Sequence, residues 1–233
     1  MALAKILFAL EIALLPNIVF FAGTILFLLI ILKVLFQFQN VREQLNNLAI
    51  ASVAPTFTMG TMIMASIFLM HNAFASIAHI IWILAVVLHI VLMVYFIVKF
   101  IVRNPLTMQS ILPSWFVTFV GIGIIPVTAP SFAVPYTGWI VWLALLNFVV
   151  LLPFIIKRIF IMRDLPVPAK PMITILAAPA SLSLLAYLIQ YGANNEALIY
   201  TGLVVAQLLY FIVLYELQTL IKMPFYPSFG AFT

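Results

Sequence analysis

The sequence predicts an all-α, polytopic membrane protein built from helical hairpins, and three observations carry that prediction. The chain of 233 residues is 67% hydrophobic and 6% charged, with a mean hydropathy of +1.32. A soluble domain has roughly 25% charged residues, so this chain has too little polar surface to face water and lipid must solvate most of it. Its apolar stretches have the length that a bilayer requires, about 20 residues each. Finally, eight of the ten Lys and Arg residues fall on alternate connections between those stretches: Arg42, Lys99, Arg103, Lys157, Arg158, Arg163, Lys170 and Lys222. Cytoplasmic connections are enriched in Lys and Arg, so the alternation also orients the chain. The connections around 38–47, 101–111, 161–170 and 222–227 are expected on the cytoplasmic side, and those around 71–76, 133–137 and 192–196 outside. The net charge of +5 is accounted for by this asymmetry, and no basic patch with interleaved aromatics points to nucleic acid.

Seven spans follow, placed at about 14–37, 48–70, 77–100, 112–132, 138–160, 171–191 and 197–221. The first is a run of Leu, Ile, Val and Phe with Pro16 near its start and Lys33 near its end. Lys5 followed by apolar residues resembles a signal sequence, but the run continues through Leu35 without a convincing cleavage site, so a membrane helix is expected. Residues 1–13, with Glu11, extend this span or lie in the interface; the combined helix would be about 55 Å long, against a core about 30 Å thick. The second span carries Pro55 at mid-depth, flanked by Ser52, Thr56, Thr58, Gly60 and Thr61. The third is bulky and apolar and ends at Lys99. The fourth carries Pro126 among Thr118, Gly121, Gly123 and Thr128. The fifth is again bulky, with Pro153 near its end. The sixth carries Pro179 with Thr174, Ala177, Ala178, Ser181 and Ser183. The seventh is bulky and ends at Lys222. Pro224 to Thr233 begins another apolar stretch.

Small and hydroxylated spans let backbones approach or line a wet cavity, whereas uniformly bulky spans tolerate lipid on most sides. The alternation therefore predicts a repeated two-helix unit, with proline-kinked inner helices gathered together and apolar outer helices around them. A proline removes one helical hydrogen bond, and in hydrocarbon the freed carbonyl must find a hydroxyl, a neighbour or water. Three prolines at similar depth, each near Ser or Thr, suit kinked helices bowed about one axis. The competing reading is that packing alone tolerates them.

Other chemistry is poorly supported. His71, His79 and His89 are spaced by eight and ten residues, which puts no two ligands on one helical turn, and no carboxylate completes a metal shell. A retinal protein needs a Lys in the middle of its last helix, but the only Lys there, Lys222, lies at the end. Glu216, about 9 Å along the helix from Lys222, is expected at the interface, and Asp164, among Arg158, Arg163 and Lys170, is expected as a solvated loop charge. No phosphate-cradling loop, nucleophile–base pair or acid pair indicates an enzyme, and nothing calls for a cofactor. No Arg, Lys, Asp or Glu lies mid-span on the proline-bearing helices. The path they would form is neutral and hydroxyl-lined, so it lowers an ion's dehydration cost without holding it tightly. The expected lining is Ser52, Pro55, Thr56, Thr118, Gly121, Pro126, Thr128, Thr174, Pro179 and Ser181.

An ordered series of stretches carries a family resemblance: Gln39-Asn40-Val41-Arg42-Glu43 before the Pro55 span, Leu112-Pro113-Ser114-Trp115-Phe116 opening the next inner span, Ile175-Leu176-Ala177-Ala178-Pro179-Ala180 in the third, and Phe229-Gly230-Ala231-Phe232-Thr233. Over nearly its whole length the chain resembles the tellurite-resistance/dicarboxylate transporter family, which includes plant slow anion channels and fungal malate permeases. That resemblance implies ten helices in five hairpins, five inner helices forming a pore, and a homo-oligomer, specifically a trimer, in the cell membrane. It implies small anions as substrates, such as dicarboxylates, sulfite, tellurite, chloride or nitrate. On this map the chain corresponds to the second through eighth helices, with Phe229 and Phe232 at the start of a further pore helix. The family's pore-occluding phenylalanine would fall one position past Thr233, so the chain is expected to be partial. The alternative is a truncated, non-transporting membrane interaction protein.

Overall fold

The computed structural model describes residue 10 and residues 14–69 and 75–232, with only the backbone described over 230–232. His71, Lys5 and Glu11, and most of the expected connection at 71–76, lie outside the described residues, as does Thr233. Seven helices are long and apolar enough to cross a membrane. They are α1 (Leu15–Phe36), α3 (Leu48–Phe68), α4 (Ala75–Val102), α5 (Trp115–Phe132), α6 (Gly138–Met162), α7 (Val167–Tyr191) and α8 (Glu196–Leu220). A short helix, α2 (Phe38–Gln44), joins α1 to α3. No strand occurs among the described residues.

The ends of these helices follow local chemistry. The Asn47 side chain caps α3 by accepting from the Ala49 and Ile50 amides at 2.9 and 3.3 Å. Gly192 terminates α7 with a φ of +68°, a conformation that a side chain would strain. Both α4 and α6 close in wide π turns, Ile97–Val102 and Lys157–Met162, just before basic connections. α7 begins at Val167, earlier than the expected residue 171, because Pro168 and Pro171 are absorbed by a tightly wound 3-10 stretch, Val167–Ala177, preceding the α-helical Pro179–Tyr191.

The proline-bearing helices form a continuous row. α5 lies in the middle and packs on both α3 and α7; α4 braces α3 and α5, α6 braces α5 and α7, and α8 covers α7. α1 rests against α3 through aromatic pairs, Phe27 on Phe57 at 4.8 Å and Phe20 on Phe68 at 5.5 Å. Burial follows the alternation: 44%, 72% and 56% of the spanning window is buried in α3, α5 and α7, against 0%, 22%, 28% and 17% in α1, α4, α6 and α8. The bulky outer helices thus leave most of their apolar surface to lipid.

The four basic connections sit together at one end of the bundle. The Lys99 ammonium donates to Asn46 Oδ1, and Tyr95 donates to the Leu45 carbonyl at 3.1 Å, tying the first connection to the second. Arg158 donates to the Ile111 carbonyl, tying the second to the third, and Ser228 donates to the Pro168 carbonyl, tying the third to the fourth. The C-terminal 3-10 turn, Pro227–Phe232, packs against the first half of α7, with Phe229 stacked on Phe225 at 5.8 Å.

Candidate functional site

Each proline breaks a backbone ladder inside the row, and the first question is where the released carbonyls go. In α3, Pro55 has no N–H and the helix is interrupted at Ala54. The Ser52 carbonyl there accepts the Thr118 hydroxyl of α5 at 2.8 Å. Ser52 donates its own proton to the Ala49 carbonyl at 2.9 Å, so the 2.6 Å contact with Ser114 is donated by Ser114. Two of the proline-bearing helices, α3 and α5, are therefore joined by three hydroxyls at the kink.

In α5 the break is larger. Gly121–Gly123 is a 3-10 turn in which Gly123 bonds back to Val120, leaving the Phe119 carbonyl without its helical donor. The Asn147 side chain of α6 fills that place at 3.0 Å. The Pro126 carbonyl would ordinarily accept from the residue four positions on, but that residue is Pro130, which has no N–H. Gln190 of α7 donates to the Pro126 carbonyl at 2.7 Å instead. Thr128 returns its proton to the Ile124 carbonyl at 2.9 Å and accepts from the Trp82 indole of α4 at 2.8 Å.

A second buried polar link crosses from α4 to α3. Thr58 donates to the Pro55 carbonyl at 2.7 Å and lies 2.7 Å from His89 Nδ1. Its single proton is thereby used, so His89 donates from Nδ1 and its Nε2 is a bare acceptor. That Nε2 is buried without a partner among the described residues. Gly121 lies beside it: a Cβ there would meet Met59 Sδ at 2.7 Å and His89 Cε1 at 3.6 Å.

The ten expected lining positions therefore divide. Pro55, Pro126 and Pro179 are buried. Ser52, Thr118 and Thr128 are also buried, and their hydroxyls are occupied between helices. Gly121 is at the α3–α5 contact. Thr56 and Ser181 are exposed and Thr174 is half-buried. Thr56 and Gly60 lie on one face of α3, and a Cβ on Gly60 would meet nothing within 4 Å. Ala178 and Ser181 form a corresponding open, small-residue face beside Pro179 on α7. α5 lies between the two helices that carry these faces. Of the ionisable groups, Asp164 is an exposed loop residue, as expected, and it also has a partner. It pairs with Arg158 Nε at 3.4 Å, and the Arg158 side chain is only 3% exposed. Burial of the guanidinium under the 111–114 turn draws its nearest carboxylate to it. Glu216 is half-buried in α8, and His79 contacts the Ala75 carbonyl at 2.9 Å and the edge of Phe132.

Asn147, Gln190 and Trp82 were not singled out by the sequence. The signal available was weak: a lone amide in an otherwise apolar outer span, and another near the end of an inner one. Neither spacing nor periodicity pairs Asn147 with Phe119 or Gln190 with Pro126.

Fold and geometry define a multi-pass membrane protein whose proline-broken helices form one row, held by side chains that replace lost backbone bonds. Residues 2–233 match the model of the family described as voltage-dependent anion channel (SLAC1), and the chain belongs to that family. This is the family that the ordered motifs resemble. No curated protein matches the chain.

Proposed function

We propose that the protein moves small anions across the membrane, as a channel or carrier, along the neutral faces beside the kinks of α3 and α7. The observation that carries this reading is the open pair of small, hydroxyl-bearing faces, Thr56–Gly60 and Ala178–Ser181, each next to a buried proline and free of charged side chains. Weak hydroxyl dipoles partly replace an anion's hydration yet let it leave, whereas a fixed cation would trap it. Ser52, Thr118 and Thr128 then have a different part from Thr56 and Ser181: they hold the kinked helices at a fixed separation. Membership of an anion channel family supports the same reading. The substrate class spans dicarboxylates, sulfite, tellurite, chloride and nitrate, and the working form is a homo-oligomer, with a trimer the expected state. The test is flux of a panel of anions into liposomes carrying the full-length protein, native and with Thr56→Val or Ser181→Ala. Altered permeability ratios in the variants support the path. Flux with unchanged ratios in both variants removes these faces from it, and absence of flux for every anion favours a non-transporting interaction protein.

A further inference from the structure

We propose that the groove between α2 and the basic end of α4 is a binding site for an anionic phospholipid of the adjacent leaflet. The groove has a volume of about 770 Å³ and is lined by three cations, Arg42, Lys99 and Arg103, and by no carboxylate. Glu43 lines a neighbouring hollow, which shares Arg42 and Asn46 with the groove. Among the described residues the one ion pair is Arg158 with Asp164, so no described carboxylate pairs with Arg42, Lys99 or Arg103 within 4 Å. Lys99 is held in place by the Tyr95 hydroxyl at 2.8 Å, with its ammonium 5.1 Å from the Tyr95 ring centre. Asn46 and Asn104 add amide groups to the same wall. This end of the groove offers donors and three positive charges with no carboxylate among its lining residues, which suits a phosphate diester.

The other end is apolar. Val91, Val94 and Val98 line it from one stripe of α4, and all three are exposed. The stripe continues away from the cations through exposed Val87 and Leu84. From Val98 to Leu84 it runs about 20 Å, more than half the thickness of a hydrocarbon core of about 30 Å. A track of that length running from a cationic cluster into the membrane fits an acyl chain attached to a phosphate. It fits a second copy of this chain poorly, because the protein carries ten Lys and Arg against five Asp and Glu, and a copy would bring further cations to the groove.

The test is native mass spectrometry of the intact protein released from micelles containing equal phosphatidylglycerol and phosphatidylcholine. Phosphatidylglycerol adducts should predominate. Combined R42Q, K99Q and R103Q should weaken them on the order of a hundredfold, about fivefold for each charge removed. Val94→Trp, which fills the apolar track and keeps the cations, should also lose them. Should the triple variant fail to fold, exposed Arg42→Gln alone should still show the fivefold loss. Equal binding of the two lipids, or undiminished phosphatidylglycerol adducts in the variants, overturns the proposal. So does displacement of the lipid by an equal concentration of glycerol phosphate, which would mean that the apolar track contributes nothing. Protein dimers in place of lipid adducts would assign the groove to a second copy and equally overturn it.

Discussion

Replacing Gln190 by Leu isolates the bond that completes the α5 break. Leu keeps much of the volume but removes the donor that reaches the Pro126 carbonyl at 2.7 Å. No backbone donor can take over, because the residue four positions on is Pro130. A buried carbonyl left unsatisfied costs about 1–3 kcal/mol, and side-chain bonds between membrane helices have been worth roughly 0.6–2 kcal/mol. The expected loss is therefore about 1–2 kcal/mol, a fall in melting temperature of roughly 2–8 °C for a domain of this size. Thermal unfolding in mild detergent, followed by loss of helical circular dichroism, reads it out. The second half of the cycle is Pro130→Ala, which restores an N–H at the position where the Pro126 carbonyl would find one. Gln190→Leu should cost less in that background, since the carbonyl regains a backbone partner. If Gln190→Leu changes the melting temperature by less than about 1 °C, or costs as much with Pro130→Ala as without it, the carbonyl-replacement reasoning is wrong.

Two further outcomes follow from the same geometry. Gly121→Ala drives a methyl to 2.7 Å from Met59 Sδ; Met59 is flexible, so the cost should be about 1–2 kcal/mol, and combining it with Met59→Ala should recover part of that loss in the same unfolding assay. In the cysteine-free chain, Arg163→Cys should be shielded from an impermeant thiol reagent applied outside intact cells, while Asn194→Cys should react; the reverse pattern would invert the assigned orientation.

The hairpin architecture was legible because two physical demands leave marks in composition. Helices that must approach each other closely carry Gly, Ala, Ser and Thr around a proline, as at Pro55, Pro126 and Pro179, and helices that meet lipid carry Leu, Ile, Val and Phe. The clustering of Arg42, Lys99, Arg158 and Lys170 at one end was legible for a similar reason, since charge follows the aqueous boundary. What each hydroxyl does was not. Thr118 and Thr56 look alike in the sequence, yet one is bonded to the Ser52 carbonyl and the other faces open space. The difference lies in helix rotation, which is set by contacts between residues far apart in the chain. The same applies to Arg158: in a basic loop it reads as solvated, and only its bond to the Ile111 carbonyl, far away in the chain, accounts for the burial of its guanidinium beside an exposed Asp164. The 3-10 winding of Val167–Ala177 leaves no mark that separates it from a helix beginning near residue 171, because the tighter winding tolerates both Pro168 and Pro171.

The side-chain amides on the α5 break have a consequence for biogenesis. α5 is synthesised before α6 and α7, and the donors that complete it, Asn147 and Gln190, emerge from the ribosome 28 and 64 residues after the carbonyls they serve. A newly made α5 entering the lipid alone would carry bare carbonyls into hydrocarbon, each costing several kcal/mol. It must therefore wait in a wet or proteinaceous setting, because straightening the helix could restore a donor to the Phe119 carbonyl but not to that of Pro126, which faces Pro130. Its final shape is acquired only when two later segments arrive beside it, so this central helix is placed by the chain that follows it.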